Sequence, residues 1–497
     1  MGLNALDLGV IVAYLAGVTL FGLRFRRKQQ TIRNYFLAGN VIPWWAISLS
    51  IVAAETSTLT VISIPGMAYD QDFRFLQLVF GYIIGRVVVS FVFIPRYFQG
   101  QLVTAYQLME RRFGQRMRTL TAGMFLVTRA AAEGVRVFAV AIVVRVALGG
   151  VFAGLSDFQR DICAIAIVTA LTLIYTFEGG IAAAIWTDVL QQSVYVAGTL
   201  VGFFTILHLV PGGWQTVHSL AAGAGKFRIF DFSFNFTSTY TFWSGLIGGT
   251  FLTCASHGTD QLIVQRLLSA RSEGQAKAAL LVSGVAILFQ FSLFLMIGAM
   301  LYAFYRLSPA HAAFTRSDII FPMFVVSHMP HIISGLLVAA ILAAAMSNLS
   351  AALNSLSSTS IVDFYVRLFP TSSEQRRVTV SRAAMVVWAL VLFGLALLAR
   401  RGGRVIEVGL AIASVAYGAL LGAFLLGVLT RRASQAGVMV GMVLGFALNV
   451  YLWLGTRVPF TWYVVLGSLT TFLFGYGASR LMPEPHRELS REEVKCN

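Results

Sequence analysis

Charged and oxygen-bearing side chains recur inside stretches of this sequence that are otherwise apolar, and their spacing restricts the chemistry open to them. Arg129, Glu133 and Arg136 stand at i, i+4 and i+7, so a helix projects all three from one side. Arg129 with Glu133 reads as a structural ion pair, which leaves Arg136 to find another acceptor: Glu55, Asp188 or a solute carboxylate. Asp188 lies a little way inside a further apolar run, where an unpaired charge costs a few kcal/mol, so it is either paired with an arginine or near a cation. Arg86 and Glu55 add to the interior ionisable groups, and His257 reads as a hydrogen-bonding residue rather than a proton relay. Ala344, Ser347, Asn348, Ser350, Ala351 and Asn354 set small, oxygen-bearing groups on one helical face. That face suits either hard-oxygen coordination of Na⁺ or close packing of a neighbouring helix.

None of these groups has the spacing of a catalytic centre. The sequence holds no Gly-Xaa-Ser-Xaa-Gly elbow, no His-Glu-Xaa-Xaa-His, no phosphate-binding glycine loop and no Cys/His cluster, so an enzyme is not expected. Cys163, Cys254 and Cys496 are scattered and read as packing residues.

The elements that must position these residues are membrane helices. Of 497 residues, 57% are hydrophobic and 12% charged, against roughly 25% charged in a globular protein, so the solvent must be lipid. About thirteen stretches are long and apolar enough to cross a bilayer, near 5–24, 41–69, 75–98, 119–149, 160–177, 180–208, 240–265, 277–304, 331–363, 378–399, 405–429, 434–455 and 460–480. The net charge of +16 gathers in short runs between those stretches, which excludes a continuous nucleic-acid patch. With the N-terminus outside, most Lys and Arg face the cytoplasm and the C-terminus is cytoplasmic. No cleavable signal peptide is evident.

Two spans are broken by polar residues and glycine: Glu55-Thr56-Ser57-Thr58 with Pro65-Gly66, and Gly248-Gly249 with Ser256-His257-Gly258-Thr259-Asp260. Irregular backbone at membrane depth is tolerated only where protein or a water-filled cavity satisfies it. Two broken helices five spans apart are the arrangement that an inverted-repeat secondary transporter places at its binding site. The expected organisation is a leading helix and cytoplasmic loop (1–40), a five-helix repeat (41–210), an extracellular loop (211–239), a second repeat (240–430), two trailing helices (431–480) and a cytoplasmic tail (481–497).

Four stretches then resemble the sodium:solute symporter family, which includes bacterial proline, galactose and sialic acid carriers and the animal sodium–glucose cotransporters. They are Asn34-Tyr35-Phe36-Leu37-Ala38-Gly39 running to Pro43-Trp44-Trp45; Tyr175 through Gly179-Gly180 to Trp186-Thr187-Asp188-Val189 and Gln191; Gln265-Arg266 with Ala270-Arg271-Ser272; and Ala343-Ala344-Ala345-Met346-Ser347 running to Leu353-Asn354-Ser355. The resemblance spans nearly the whole chain. It implies the all-α, leucine-transporter-like fold of inverted five-helix repeats and alternating access driven by Na⁺.

The same resemblance implies a main Na⁺ site at Ala53 and Thr56 (backbone oxygens), Ala344 (backbone), Ser347 and Asn348, the last departing from the serine common in relatives. A second Na⁺ would use Asp188 with Ser347 and Ser350, weakened by Ala351 where relatives carry a hydroxyl. The substrate cavity maps onto Glu55, Ser57, Thr60, Gln77, Arg129, Arg136, Thr253, Ser256 and His257. The polar side chains that read hexoses are largely missing. An interior arginine favours a carboxylate solute: an acidic sugar such as sialic acid, a monocarboxylate, or an amino acid whose ammonium would suit Glu55. The expected partners are Na⁺, a small solute and the lipid bilayer, with the monomer functional in a bacterial inner membrane. A neutral sugar or polyol carrier, a proton-coupled carrier and a non-transporting sensor are the alternatives; against the sensor, the chain ends soon after its final helix.

Overall fold

The computed structural model describes residues 3–23, 38–99, 105–175, 181–308, 314 and 316–482. The basic stretch at 24–33, the motif residues 34–37, the glycine pair 179–180 and the tail from 483 with Cys496 lie outside the described residues. All named elements are helical, and a helix satisfies its own backbone groups in lipid. The order is α1 (Ala5–Leu23), α2 (Trp44–Glu55), α3 (Thr58–Asp70), α4 (Leu76–Val92), α5 (Gln115–Ala147), α6 (Asp157–Tyr175) and α7 (Ile181–Leu209). It continues with α8 (Gly249–Gly258), α9 (Gln261–Leu268), α10 (Glu273–Leu307), α11 (Ile333–Thr359), α12 (Glu374–Ala399), α13 (Val405–Leu429), α14 (Gln435–Gly455) and α15 (Tyr463–Leu481). Between them lie shorter helices, including Gly213–Gly223 and Ile320–His328 outside the main bundle order.

Every apolar stretch named above falls on one of these helices or on a broken pair. Among the described residues, seven helices are long and apolar enough to cross a membrane, and the pair α2–α3 makes an eighth. The long α5 carries several arginines, and α1, α8 and α9 are short or less apolar, so a count of thirteen crossings is not reached by length and composition.

Both sequence breaks are real. The α2–α3 pair bends by 64°, with Thr56 leaving helical geometry at ψ 62° and Ser57 extended. At the second break Thr259 ends α8, and Asp260, extended, caps α9 by accepting from the Leu262 amide. A π-helical turn, Ser244–Gly248, leads into α8.

The two halves share one packing rule. The helix after each broken one lies against the other broken helix: α4 on α8, and α10 on α3 and α2. Likewise α5 meets α12 and α13, while its counterpart α11 meets α6 and α7; α7 meets α2, and α13 meets α8. Backbones approach closely where α4 crosses the entrance to α8, since a Cβ on Gly81 would lie 2.4 Å from the Gly245 carbonyl oxygen. The trailing α14 and α15 pack on each other and on α13, and α1 packs on α11.

Candidate functional site

The breaks leave backbone and polar side chains in the middle of the bundle, and they converge on one cavity. It encloses about 210 Å³ between the broken helices, α5 and α13. Glu55, Ser57, Thr60, Thr253, Ser256 and His257 line it from the two breaks, and Arg129 and Arg136 from α5. Eight of the nine residues expected at the substrate site are therefore together. The exception is Gln77, whose amide donates to the Arg74 and Tyr240 carbonyls and accepts from the Asp231 amide, all near 3 Å. Both ends of its side chain are used to staple the loop between the repeats, so Gln77 stands outside the cavity.

Glu55 closes α2 and faces a guanidinium and an imidazole. Arg86 from α4 hydrogen-bonds its Oε2, and His257 Nε2 lies 3.1 Å from its Oε1. Arg86 also donates to Ser283 Oγ at 3.1 Å, and Ser256 Oγ lies 2.9 Å from His257 Nδ1. Glu55 is thus committed to protein partners rather than open to a ligand ammonium. On α5, Arg129 and Arg136 both reach the same oxygen, Glu133 Oε1, at 3.0 and 2.7 Å. The expectation that Arg136 is left over is corrected: i+3 and i−4 neighbours of Glu133 both reach it from one helix face.

Asp188 is paired with an arginine. Its Oδ2 accepts from Arg266 at 2.9 Å and from Ser50 Oγ at 2.6 Å, and Arg266 Nε donates to Ser50 at 2.8 Å. This buried triad ties α2, α7 and α9 together. Of the residues expected around Na⁺, Asn348 faces a small chamber that also holds Ser57 and Thr58, and Thr56 turns its hydroxyl to Gln290 Oε1 at 3.1 Å. Ala53, Ala344 and Ser350 are buried, and Ser347 is half-buried.

Several cavity residues escaped the sequence reading. Phe75, stacked on Phe291 at 5.3 Å, forms one end, and Tyr417, Gly409, Ala413 and Ala416 form the α13 wall. These four recur at i, i+4, i+7 and i+8, one helical face, three of its residues small, that could have flagged α13. Tyr417 donates to Asp260 Oδ2 at 2.7 Å. Beyond the aromatic end, Arg404 pairs with Asp70 and Glu407, and Tyr240 donates to Glu407, closing that side. At the other end Phe125, Arg129, Asp260 and Leu262 are shared with a second cavity of about 430 Å³ that holds Glu110, Arg118 and Asp363.

Comparison with known proteins matches this architecture. The model of the Sodium:solute symporter family covers residues 35–445. The chain is 28% identical to the sodium/sialic acid symporter of Proteus mirabilis over 99% of its own length and 98% of that protein's. It is 27% identical to human sodium-coupled monocarboxylate transporter 1, over 86% of this chain and 70% of that one. A substrate-bound, outward-open Na⁺-coupled sialic acid symporter superposes with a TM-score of 0.80 at 28% identity, covering 96% of this chain and 98% of its own. Mhp1, a nucleobase-cation-symport-1 family transporter in a closed conformation, shares the fold at a TM-score of 0.53 and 14% identity, over 90% of this chain and 93% of its own.

Proposed function

The chain belongs to the sodium:solute symporter family, and on that premise we propose that it carries a small carboxylate-bearing solute inward with Na⁺. It is a Na⁺-coupled secondary transporter of the membrane and not an enzyme. The observation that carries the carboxylate is the pair of guanidiniums, Arg129 and Arg136, on the cavity wall around one Glu133 oxygen. A solute carboxylate entering beside them gains charge-assisted hydrogen bonds. Relatives that bear on this are named for sialic acid and for monocarboxylates. Because Glu55 is held by Arg86 and His257, an acid without an ammonium group fits better than an amino acid. Ser57, Thr60, Thr253 and Ser256 supply neutral hydrogen-bonding groups for the remainder of the solute.

The main Na⁺ ligands in this reading are the Ala53, Thr56 and Ala344 carbonyls with Ser347 and Asn348, and Asp188 takes the structural role of partner to Arg266. Thirteen crossings with the N-terminus outside, domain limits as drawn from the sequence, a monomer and a bacterial inner membrane complete the proposal. In that orientation the aromatic end and the Arg404 ion pairs close the outside, and the second cavity opens towards the cytoplasm. Alternating access then requires the outer closure to part while the inner cavity fills.

The test is uptake into proteoliposomes, driven by a Na⁺ gradient, of N-acetylneuraminate, lactate, proline and glucose. An acid should accumulate and glucose should not. Arg129→Gln should weaken the transported acid by about 10- to 150-fold, the equivalent of losing one charged hydrogen bond. Accumulation of glucose alone, or an acid insensitive to Arg129→Gln, refutes the carboxylate reading.

A further inference from the structure

Next to the main cavity lies a chamber of about 20 Å³, lined by Ser57, Thr58, Glu133, Arg136, Asn348 and apolar neighbours. That is room for one water-sized species. Two of its polar atoms are buried without a hydrogen-bond partner among the described residues: Glu133 Oε2, on a side chain 1% exposed, and Thr58 Oγ1. A carboxylate oxygen with nothing to accept is costly in the interior, because its desolvation is not repaid. Carboxylate, hydroxyl and amide oxygens are the hard donors that Na⁺ takes. From these atoms we infer that the chamber is a cation position, with Glu133 as its anionic ligand and Thr58 and Asn348 as neutral ones.

Arg136 gives this position its control. It lines both the chamber and the substrate cavity, and it holds Glu133 Oε1 together with Arg129. While two guanidiniums crowd that carboxylate, a cation at Oε2 is repelled. A solute carboxylate that draws Arg136 into the cavity relieves the repulsion and leaves Glu133 to the cation. Cation and solute therefore strengthen each other's binding, and the coupling is reciprocal. The inference rests on the carboxylate reading of the cavity, and it also accounts for Asn348, whose longer amide reaches a chamber that a serine at this place would leave partly empty.

The test needs Na⁺ alone. Arg136→Met removes one of the two guanidiniums, so purified protein in detergent should bind ²²Na⁺ at least tenfold more tightly than the unsubstituted chain, without any solute. Adding Glu133→Gln, or Thr58→Val as a variant that leaves both the charges and the main Na⁺ ligands alone, should abolish that gain. An unchanged Na⁺ affinity in Arg136→Met, or a gain that survives either second substitution, overturns the inference. A gain in thermal stability seen equally with choline chloride is screening and overturns it too. Failure here with intact acid uptake leaves the transport reading standing, whereas normal Na⁺ results with no acid uptake overturn the carboxylate reading and leave the cation position.

Discussion

Replacing Asp188 by asparagine should strand a buried guanidinium, and the cost can be worked from the geometry. Arg266 is 4% exposed and Asp188 9%, with their charged atoms 2.9 Å apart. After Asp188→Asn, Arg266 keeps only neutral acceptors, Ser50 Oγ at 2.8 Å and the Leu262 carbonyl at 2.7 Å. Removing one partner of a buried pair costs about 3–5 kcal/mol, and those two surviving bonds put this case near 3 kcal/mol. Arg266→Gln should cost a similar amount, since the carboxylate keeps Ser50 at 2.6 Å. The double variant holds no buried charge, so its loss should be only about 1–2 kcal/mol, giving a coupling of about 4 kcal/mol for the cycle. Unfolding free energies from steric trapping in bicelles would measure all three variants. Single losses under about 1 kcal/mol that simply add would mean that the pair is not formed. The triad joins α2, α7 and α9, and with Asp188 in the structural role proposed above, Asp188→Asn should leave the Hill coefficient for Na⁺ in uptake unchanged; a lower one would make Asp188 an ion ligand instead.

Gly81→Val should prevent folding, because its Cβ would meet the Gly245 and Leu246 carbonyl oxygens at 2.4 and 2.7 Å and backbone cannot yield. Gly123→Val, with nothing within 4 Å, is the control; equal size-exclusion profiles for the two would refute the close crossing. In the loop between the repeats, the Asp231 carboxyl is held below its ordinary 3.8 by hydrogen bonding from Ser233 first, then by Arg74 and Arg228. A carboxylate with a depressed folded pKa stabilises fully above its unfolded value and loses that contribution as pH falls through the folded one. Hydrogen-exchange protection of residues 226–240 should thus hold from pH 8 to 5 and decline below about 4, and a decline between pH 7 and 5 would count against the anchor.

Composition and apolar run length determined that the chain is a helical membrane protein: in lipid the backbone must satisfy itself in helices or a closed barrel, and runs of about 20 apolar residues fit helices, not barrel strands of about 10. The breaks were legible too, since Glu55-Thr56-Ser57 and Thr259-Asp260 have no place in a lipid-facing helix. Eight of the nine residues that the family resemblance implied for a substrate cavity line one cavity, as polar groups at membrane depth must face protein or a cavity. Only tertiary structure decided the pairings. Asp188 could have met a cation or an arginine, and it was the placement of α9 beside α7 that supplied Arg266. Gln77 has the composition of a ligand residue, but the loop of Asp231 and Tyr240 folds onto it and takes both ends of its amide. Arg136 looked free from the spacing on α5, yet Glu133 accepts from both sides through one oxygen. Sequence spacing fixes which residues share a face of one helix; which partner faces them is set by helices distant in the chain, and charge pairing is decided there.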